Sequence, residues 1–298
     1  MIPPGEHGGD GARLAMALGL PPSAVLDLSA SLNPVAPDPI PTVQRHLDAL
    51  LRYPDPRPAT RSLAAAMNVA PSQMLLTNGG SEAIALLAAE LGPGWVDEPD
   101  FSLYRRHLPA IDPAGPRWRS NPHNPSGRLA GPAEHADVWD EAFWPLATGT
   151  WTRGDTDAIV IGSLTKLLAC PGLRAGYVRS VNEGLIARLA RRQPRWAVNG
   201  LVTATLPELL AMVDLPAWTV DVACLRRELA TTLRAHGLDP QPSDANWLLV
   251  HAPGLRQQLA RHGVLVRDCA SFGLPGTVRI AVPDDKGRAR LEEALCQA

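Results

Sequence analysis

The sequence predicts an α/β fold built on a mainly parallel sheet, with a smaller α+β unit attached. Three observations predict it. Short apolar runs such as Ala158-Ile-Val-Ile-Gly162 alternate with segments of helical spacing such as residues 81–91. Turns rich in Gly and Pro separate the two kinds of segment. After Gly184 the alternation gives way to a run of helices and then a cluster of strands, the pattern of a second unit.

The elements follow in order. Residues 25–28 read as a short strand behind an N-terminal arm, and residues 34–41 as a Pro-rich connector. A helix is expected near 42–51, a rigid loop at Tyr53-Pro-Asp-Pro-Arg-Pro, a helix at 61–67 and a buried strand at 74–77. Ser81 is expected to cap a buried helix over 81–91. Trp95-Val96 starts a strand, and the stretch 109–131, rich in Pro, Asn and Gly, reads mostly as loop. Strands are expected at 158–162 and 174–178, helices over 185–235, and a further segment at 247–251. A helix at 255–262, strands at 264–267 and 277–282 and a helix from Asp285 complete the chain. This gives an arm at 1–40 that belongs to the small domain, a large domain at 41–195 and a C-terminal small domain at 196–298. The boundary is expected between about Arg191 and Val202.

Composition narrows the function. With 45% apolar and 19% charged residues in 298, the chain has ample material for a packed core. A net charge of -2 leaves no electrostatic footprint for nucleic acid or an anionic membrane. No apolar run approaches the ~18 residues a membrane span needs. Met1-Ile-Pro-Pro-Gly-Glu has no basic n-region ahead of an apolar stretch, which points to the cytoplasm. Cys170, Cys224, Cys269 and Cys296 are scattered with no CxxC pair, so neither a metal site nor a disulfide framework is indicated.

The chemistry centres on Gly162-Ser163-Leu164-Thr165-Lys166, followed by Gly172-Leu-Arg174-Ala-Gly-Tyr177. A lysine leaving a buried strand suits a cofactor that carries an aldehyde, with which its amine forms a Schiff base. Ser163 and Thr165 can donate to a phosphate on that cofactor, and Arg174 can pair with it through two charge-assisted bonds. Asn78-Gly79-Gly80-Ser81-Glu82 opens a helix whose N-terminal amides attract an anion, so Gly79, Gly80 and Ser81 are candidates for the same phosphate. Asp140 offers the anion that keeps a pyridine nitrogen protonated. Asn124, in Asn121-Pro-His-Asn124-Pro-Ser-Gly127, can bond a ring oxygen and a substrate carboxylate; Phe101 can stack on a ring face. Each also has a plainer reading: Asp140 as a helix cap, Phe101 as core, the Asn-Pro loop as an ordinary turn.

Taken in order, these segments resemble the fold-type I pyridoxal 5'-phosphate (PLP) enzymes, class I/II aminotransferases of the histidinol-phosphate aminotransferase branch. Tyr53-Pro-Asp and Val278-Arg279-Ile complete the set. Within that branch, His7-Gly8-Gly9-Asp10 and Asp27-Leu-Ser-Ala-Ser-Leu-Asn33-Pro34 look like the L-threonine-O-3-phosphate decarboxylases of cobalamin biosynthesis. Trp196-Ala-Val-Asn199 and Gly263-Val-Leu-Val-Arg267-Asp-Cys269 are also similar to them. The resemblance implies PLP on Lys166, Asp140 at the pyridine nitrogen, Asn124 at the ring oxygen, and Gly80, Ser81, Ser163 and Arg174 around the phosphate. It implies a homodimer in which Tyr53 reaches the partner's cofactor phosphate, and a small phosphorylated amino acid held by His7, Gly8, Asn33, Asn124, Arg267 and Arg279.

Departures are visible too. Phe143 stands where the aminotransferases usually carry tyrosine, a replacement familiar in the decarboxylases, and Asp10 stands where Asn is usual. The segments between Leu103 and Asn121 and between Asp140 and Ala158 are short for the family, as though an edge strand or helix were missing. The implied reaction is decarboxylation of L-threonine O-3-phosphate to (R)-1-aminopropan-2-yl phosphate. The motif around Lys166 serves an aminotransferase equally well, and a non-catalytic binding subunit of the same pathway is a third reading.

Overall fold

A computed structural model describes residues 7–297. Residues 1–6, on which the reading of the N-terminus as leaderless rests, lie outside the described residues. The strands are Leu26–Asp27 (β1), Met74–Asn78 (β2), Trp95–Val96 (β3), Arg117–Ser120 (β4), Val138–Asp140 (β5) and Ile159–Ser163 (β6). Ala175–Arg179 (β7), Trp247–His251 (β8), Val264–Leu265 (β9), Arg267–Asp268 (β10) and Thr277–Ala281 (β11) follow. Six of them form the main sheet in the order β2-β7-β6-β5-β4-β3. Strand β7 is antiparallel to both its neighbours, and every other strand of the sheet runs the same way.

Side-chain alternation along these strands feeds two cores, one on each face. Leu76, Val160 and Tyr177 pack with helices Arg57–Ala66 and Gly200–Ala211. Val96, Trp118, Val138, Ile161 and Val178 pack with helices Gly79–Leu91, Ser102–His107 and Glu183–Arg192. Burial of each large apolar side chain contributes roughly 1.5–3 kcal/mol. The α/β class, on a mainly parallel sheet, is the expected one.

Strands β10, β11 and β8 form a second, antiparallel sheet. Helices Leu255–Arg261 and Asp285–Cys296 cover it with Leu255, Leu259, Leu291 and Ala294. The N-terminal arm joins this unit: β1 pairs in parallel with β9, and Ala281 N–H donates to the Leu28 carbonyl at 2.9 Å. Core membership changes inside the 21-residue helix Leu215–Ala235, where Leu215, Trp218 and Val222 join the main-sheet core and Leu229 and Leu233 the small one. Ahead of this helix, Val198, Val202 and Leu206 pack on the main sheet.

Local differences have local causes. The helix expected from Ser81 begins at Gly79, with Asn78 as its N-cap residue, and Glu82 Oε2 accepts the Asn78 N–H at 2.6 Å. Ser81 therefore lies in the first turn and not at the cap. Strand β4 runs through the stretch read as loop, and β5 ends on Asp140 where no strand was expected. The expected strand at 264–267 is split, β9 pairing with β1 and β10 with β11. No helix among the described residues is long and apolar enough to cross a membrane.

Candidate active site

The candidate residues gather at one edge of the main sheet because of its topology. The co-directional strands β2, β4, β5 and β6 all end there, delivering Gly79, Asn124, Asp140, Ser163 and Lys166 at or just after their C-termini. Strand β7 runs the other way, so its start brings Arg174 to the same edge. Above the edge lies a cavity of about 390 Å³, lined among others by His7, Gly8, Phe101, Asn124, Asp140, Thr165, Lys166, Arg174, Arg267 and Arg279. That volume suits a small cofactor with a substrate.

Lys166 is half-buried, and its Nζ lies 5.3 Å from the centre of the Phe143 ring. Burial holds its ammonium pKa below the usual value; Arg279 and Arg174 push the same way and Asp140 opposes them. An amine so placed loses its proton more readily than a solvated lysine. Asp140 is buried; its Oδ2 accepts the Tyr104 hydroxyl at 2.9 Å and its Oδ1 the Ala142 N–H at 3.0 Å. Burial raises its pKa, while those two donors and Lys166 pull it back. Burial also drives the Tyr104 phenol well above its normal range, so it remains a donor to Asp140. Phe101 lies across the cavity, edge-on to Tyr104 at 5.8 Å and to His7 at 5.7 Å.

Beside Lys166 is a cradle with no room for side chains. A Cβ on Gly79 would meet Arg174 Nη2 at 2.5 Å, and Gly79 has φ +75°. A Cβ on Gly176 would meet the Gly79 carbonyl carbon at 2.4 Å, so the helix start sits directly on the strand. Arg174 itself is left-handed at φ 61°, which turns its guanidinium back over Gly79. Ser163 is buried beside Gly80, whereas Ser81 is exposed. Thr165 Oγ1 donates to the Ala175 carbonyl at 3.2 Å, so its proton is already committed inside the protein.

Arg267 and Arg279 are directly opposite on β10 and β11, which puts both on one face. Arg279 is buried over the Trp247 ring at 4.9 Å, and its Nη1 donates to Asn124 Oδ1 at 2.7 Å. Arg267 is buried near Phe272, and its Nη2 donates to Ser271 Oγ at 2.9 Å. Burial pulls the Arg279 pKa down to about 10, with the Arg267 charge adding to the fall and Cys269 opposing it. The two like charges repel each other, and Asp10 and Asp268 offset that of Arg267.

Six expected residues are not part of the cavity wall: Gly79, Gly80, Ser81 and Ser163, with Asn33 and Tyr53. Asn33 is buried under the lysine turn, its N–H on the Lys166 carbonyl at 3.0 Å and its Nδ2 on the Leu167 carbonyl at 3.0 Å. It is not part of the cavity wall and ties the arm to the turn that presents Lys166. Tyr53 is 79% exposed and stacks on Trp196 at 4.5 Å, away from this chain's own cavity. Sequence reasoning missed Tyr104, Ser120 and Trp247, because each reaches the site through contacts made by distant segments.

The donor set fits PLP. A buried carboxylate faces the cavity for the ring nitrogen, a desolvated lysine for the aldehyde, and a glycine cradle with an arginine for the phosphate. Over 350 aligned positions the chain is 29% identical to the threonine-phosphate decarboxylase of Salmonella typhimurium, covering 97% of this chain and 95% of that protein. It is 25% identical to histidinol-phosphate aminotransferase 1 of Dechloromonas aromatica, covering 100% of this chain and 96% of the relative. The first alignment is longer than the chain's own 298 residues, so the relative carries internal segments that this chain lacks. The histidinol-phosphate aminotransferase of Sinorhizobium meliloti, solved in complex with pyridoxal-5'-phosphate, superimposes with a TM-score of 0.81 at 17% identity over 99% of this chain and 94% of that one. The fold is thus that of the fold-type I PLP-dependent enzymes, and PLP is the cofactor. The family model for aminotransferase class I and II matches residues 118–295, and the chain belongs to that family.

Proposed function

We propose that this chain is a cytoplasmic, homodimeric decarboxylase that converts L-threonine O-3-phosphate to (R)-1-aminopropan-2-yl phosphate for cobalamin biosynthesis. One observation carries the reading: Arg267 and Arg279 face each other in the cavity that holds Lys166. Two forked cations converging on one cavity can hold a phosphate together, which leaves the carboxylate of a phosphorylated amino acid free to depart. The likeness to the Salmonella decarboxylase supports this reading, and Phe143, which offers no hydroxyl, fits it as well.

When bound, PLP supplies a protonated ring that accepts the electron pair released at the substrate's Cα. The residues of the chain do the rest. Asp140 would keep the proton on the ring nitrogen, held in orientation by Tyr104. Gly79, Gly80, Ser81, Ser163 and Arg174 would anchor the cofactor phosphate, with Tyr53 serving the partner's site. The arginines, with His7 and Gly8, would hold the substrate phosphate and leave the carboxylate free to swing perpendicular to the ring. Lys166, displaced from the cofactor by the substrate amine and holding the proton that amine gives up, would return it to Cα once carbon dioxide has left. The arm (1–40) and residues 196–298 would form the small domain over a large domain of 41–195, a division supported by the pairing of β1 with β9.

The test is carbon dioxide release from L-threonine O-3-phosphate by the PLP-loaded protein with no oxo acid present. Stoichiometric release, lost in Lys166→Ala, is expected. Substrate consumed only when an oxo acid is added would replace this reading with an aminotransferase. No turnover under either condition would leave a binding subunit.

A further inference from the structure

Asp100 has no role in the chemistry above, yet it is a carboxylate only 4% exposed beside the cavity. It occupies the turn between β3 and helix Ser102–His107. Three donors converge on it: the Phe101 N–H at 2.7 Å, the Ser120 N–H at 3.0 Å and the Ser120 hydroxyl. With its proton committed to Asp100, Ser120 Oγ accepts the Asn124 N–H at 2.8 Å. Asn124 Oδ1 in turn accepts from Arg279. One carboxylate therefore fixes the main chain of Phe101 and, through one hydroxyl, the loop that presents Asn124 to Arg279.

We infer that Asp100 is a positioning residue, holding Phe101 against the ring face and, through Ser120, Asn124 against the ring oxygen and Arg279. The inference rests on PLP at Lys166 and on the ring contacts read above for Phe101 and Asn124, and it is independent of which reaction follows.

An ionised carboxylate is acceptor-only, so it sets the direction of the Ser120 hydroxyl in a way that an amide or an alcohol at position 100 does not. Burial pushes the Asp100 pKa up to about 7; the nearby Asp140 charge adds to the rise, and the Ser120 and Phe101 donors oppose it. The other groups facing it are Tyr104 from the following helix, Arg119 from β4 and Glu98, whose Oε2 accepts the Asp100 N–H at 3.2 Å, and His123 bonds the adjacent Pro99 carbonyl. Once protonated, Asp100 can donate to Ser120 Oγ, and the hydroxyl proton is then free to rotate, so the Asn124 N–H loses the fixed acceptor the carboxylate imposed. The brace is thus set above pH 7 and loosened below it.

The test uses PLP-loaded protein without substrate. The visible absorbance of the lysine-bound cofactor is titrated through pH 7, and the PLP dissociation constant is measured above that pH by equilibrium dialysis. Wild type should show a spectral step near 7 that both Asp100→Asn and Ser120→Ala lose, and both variants should bind PLP about tenfold more weakly. A purely structural Asp100 would lower the melting temperature and leave the step in place. If Asp100→Asn does not fold, Ser120→Ala alone carries both readouts. A step that persists in the variants, a wild type without one, or unchanged PLP binding overturns the inference. Carbon dioxide release plays no part, so failure of the decarboxylase reading leaves this result intact.

Discussion

At Gly79 a single methyl group is enough to disturb cofactor binding. A Cβ there would enter the Arg174 guanidinium, and its φ of +75° is unfavourable for any other residue. Gly79→Ala is expected to weaken PLP binding by at least tenfold, read by fluorescence titration, because Arg174 must move and the helix start must strain. Tyr104→Phe leaves one Asp140 oxygen without its donor at 2.9 Å; the cofactor's absorbance should then titrate at a shifted pH while the chain stays folded. At this scale the sequence was informative where chemistry is contiguous. Lys166, Arg174, Gly79 and Asp140 were readable as candidates because short motifs carry them. Asp100, Ser120 and Tyr104 were not, because segments about twenty to forty residues apart create their roles by meeting. Asn33 misled for a related reason: the motif marked it correctly as special, but its amide serves the backbone under Lys166.

Elements were legible where their apolar pattern stands clear of turn residues. Strand β6 is a continuous apolar or small run, and β7 is one as far as Val178, as expected for strands covered on both faces. Strand β4 escaped notice because Pro116 and two arginines disguise four residues, and β5 because three residues give no period to read. Asn199 joins two elements: its Oδ1 caps helix Gly200–Ala211 at the Val202 N–H, and its Nδ2 donates to the Leu173 carbonyl, one residue before Arg174. Asn199→Ala should cost about 1–2 kcal/mol in urea unfolding. Because the Leu173 anchor goes with the cap, PLP affinity should fall as well, whereas loss of an ordinary cap would leave it unchanged.

Across the whole molecule, buried carboxyls tie stability to pH. Burial holds Asp100 and Glu141 up to about 7, against unfolded values near 4. Between those limits the folded state binds more protons than the unfolded one, so stability is greatest at the acidic end and falls as pH rises through 7. Urea midpoints at about pH 5 and about pH 8 should differ in that direction, and Asp100→Asn should shrink the difference. The exposed cluster of Leu50 (62%), Leu51 (85%), Tyr53 (79%) and Trp196 (57%) supports the proposed homodimer. Leu51→Lys is expected to shift sedimentation toward the monomer. Helix Leu215–Ala235 runs from the core of one sheet into the core of the other without a break. Neither core can melt without pulling apart a rod the other depends on, so the units are mechanically linked in unfolding. Calorimetry should therefore record one cooperative transition, with calorimetric and van't Hoff enthalpies equal, from a chain that contains two separate main sheets.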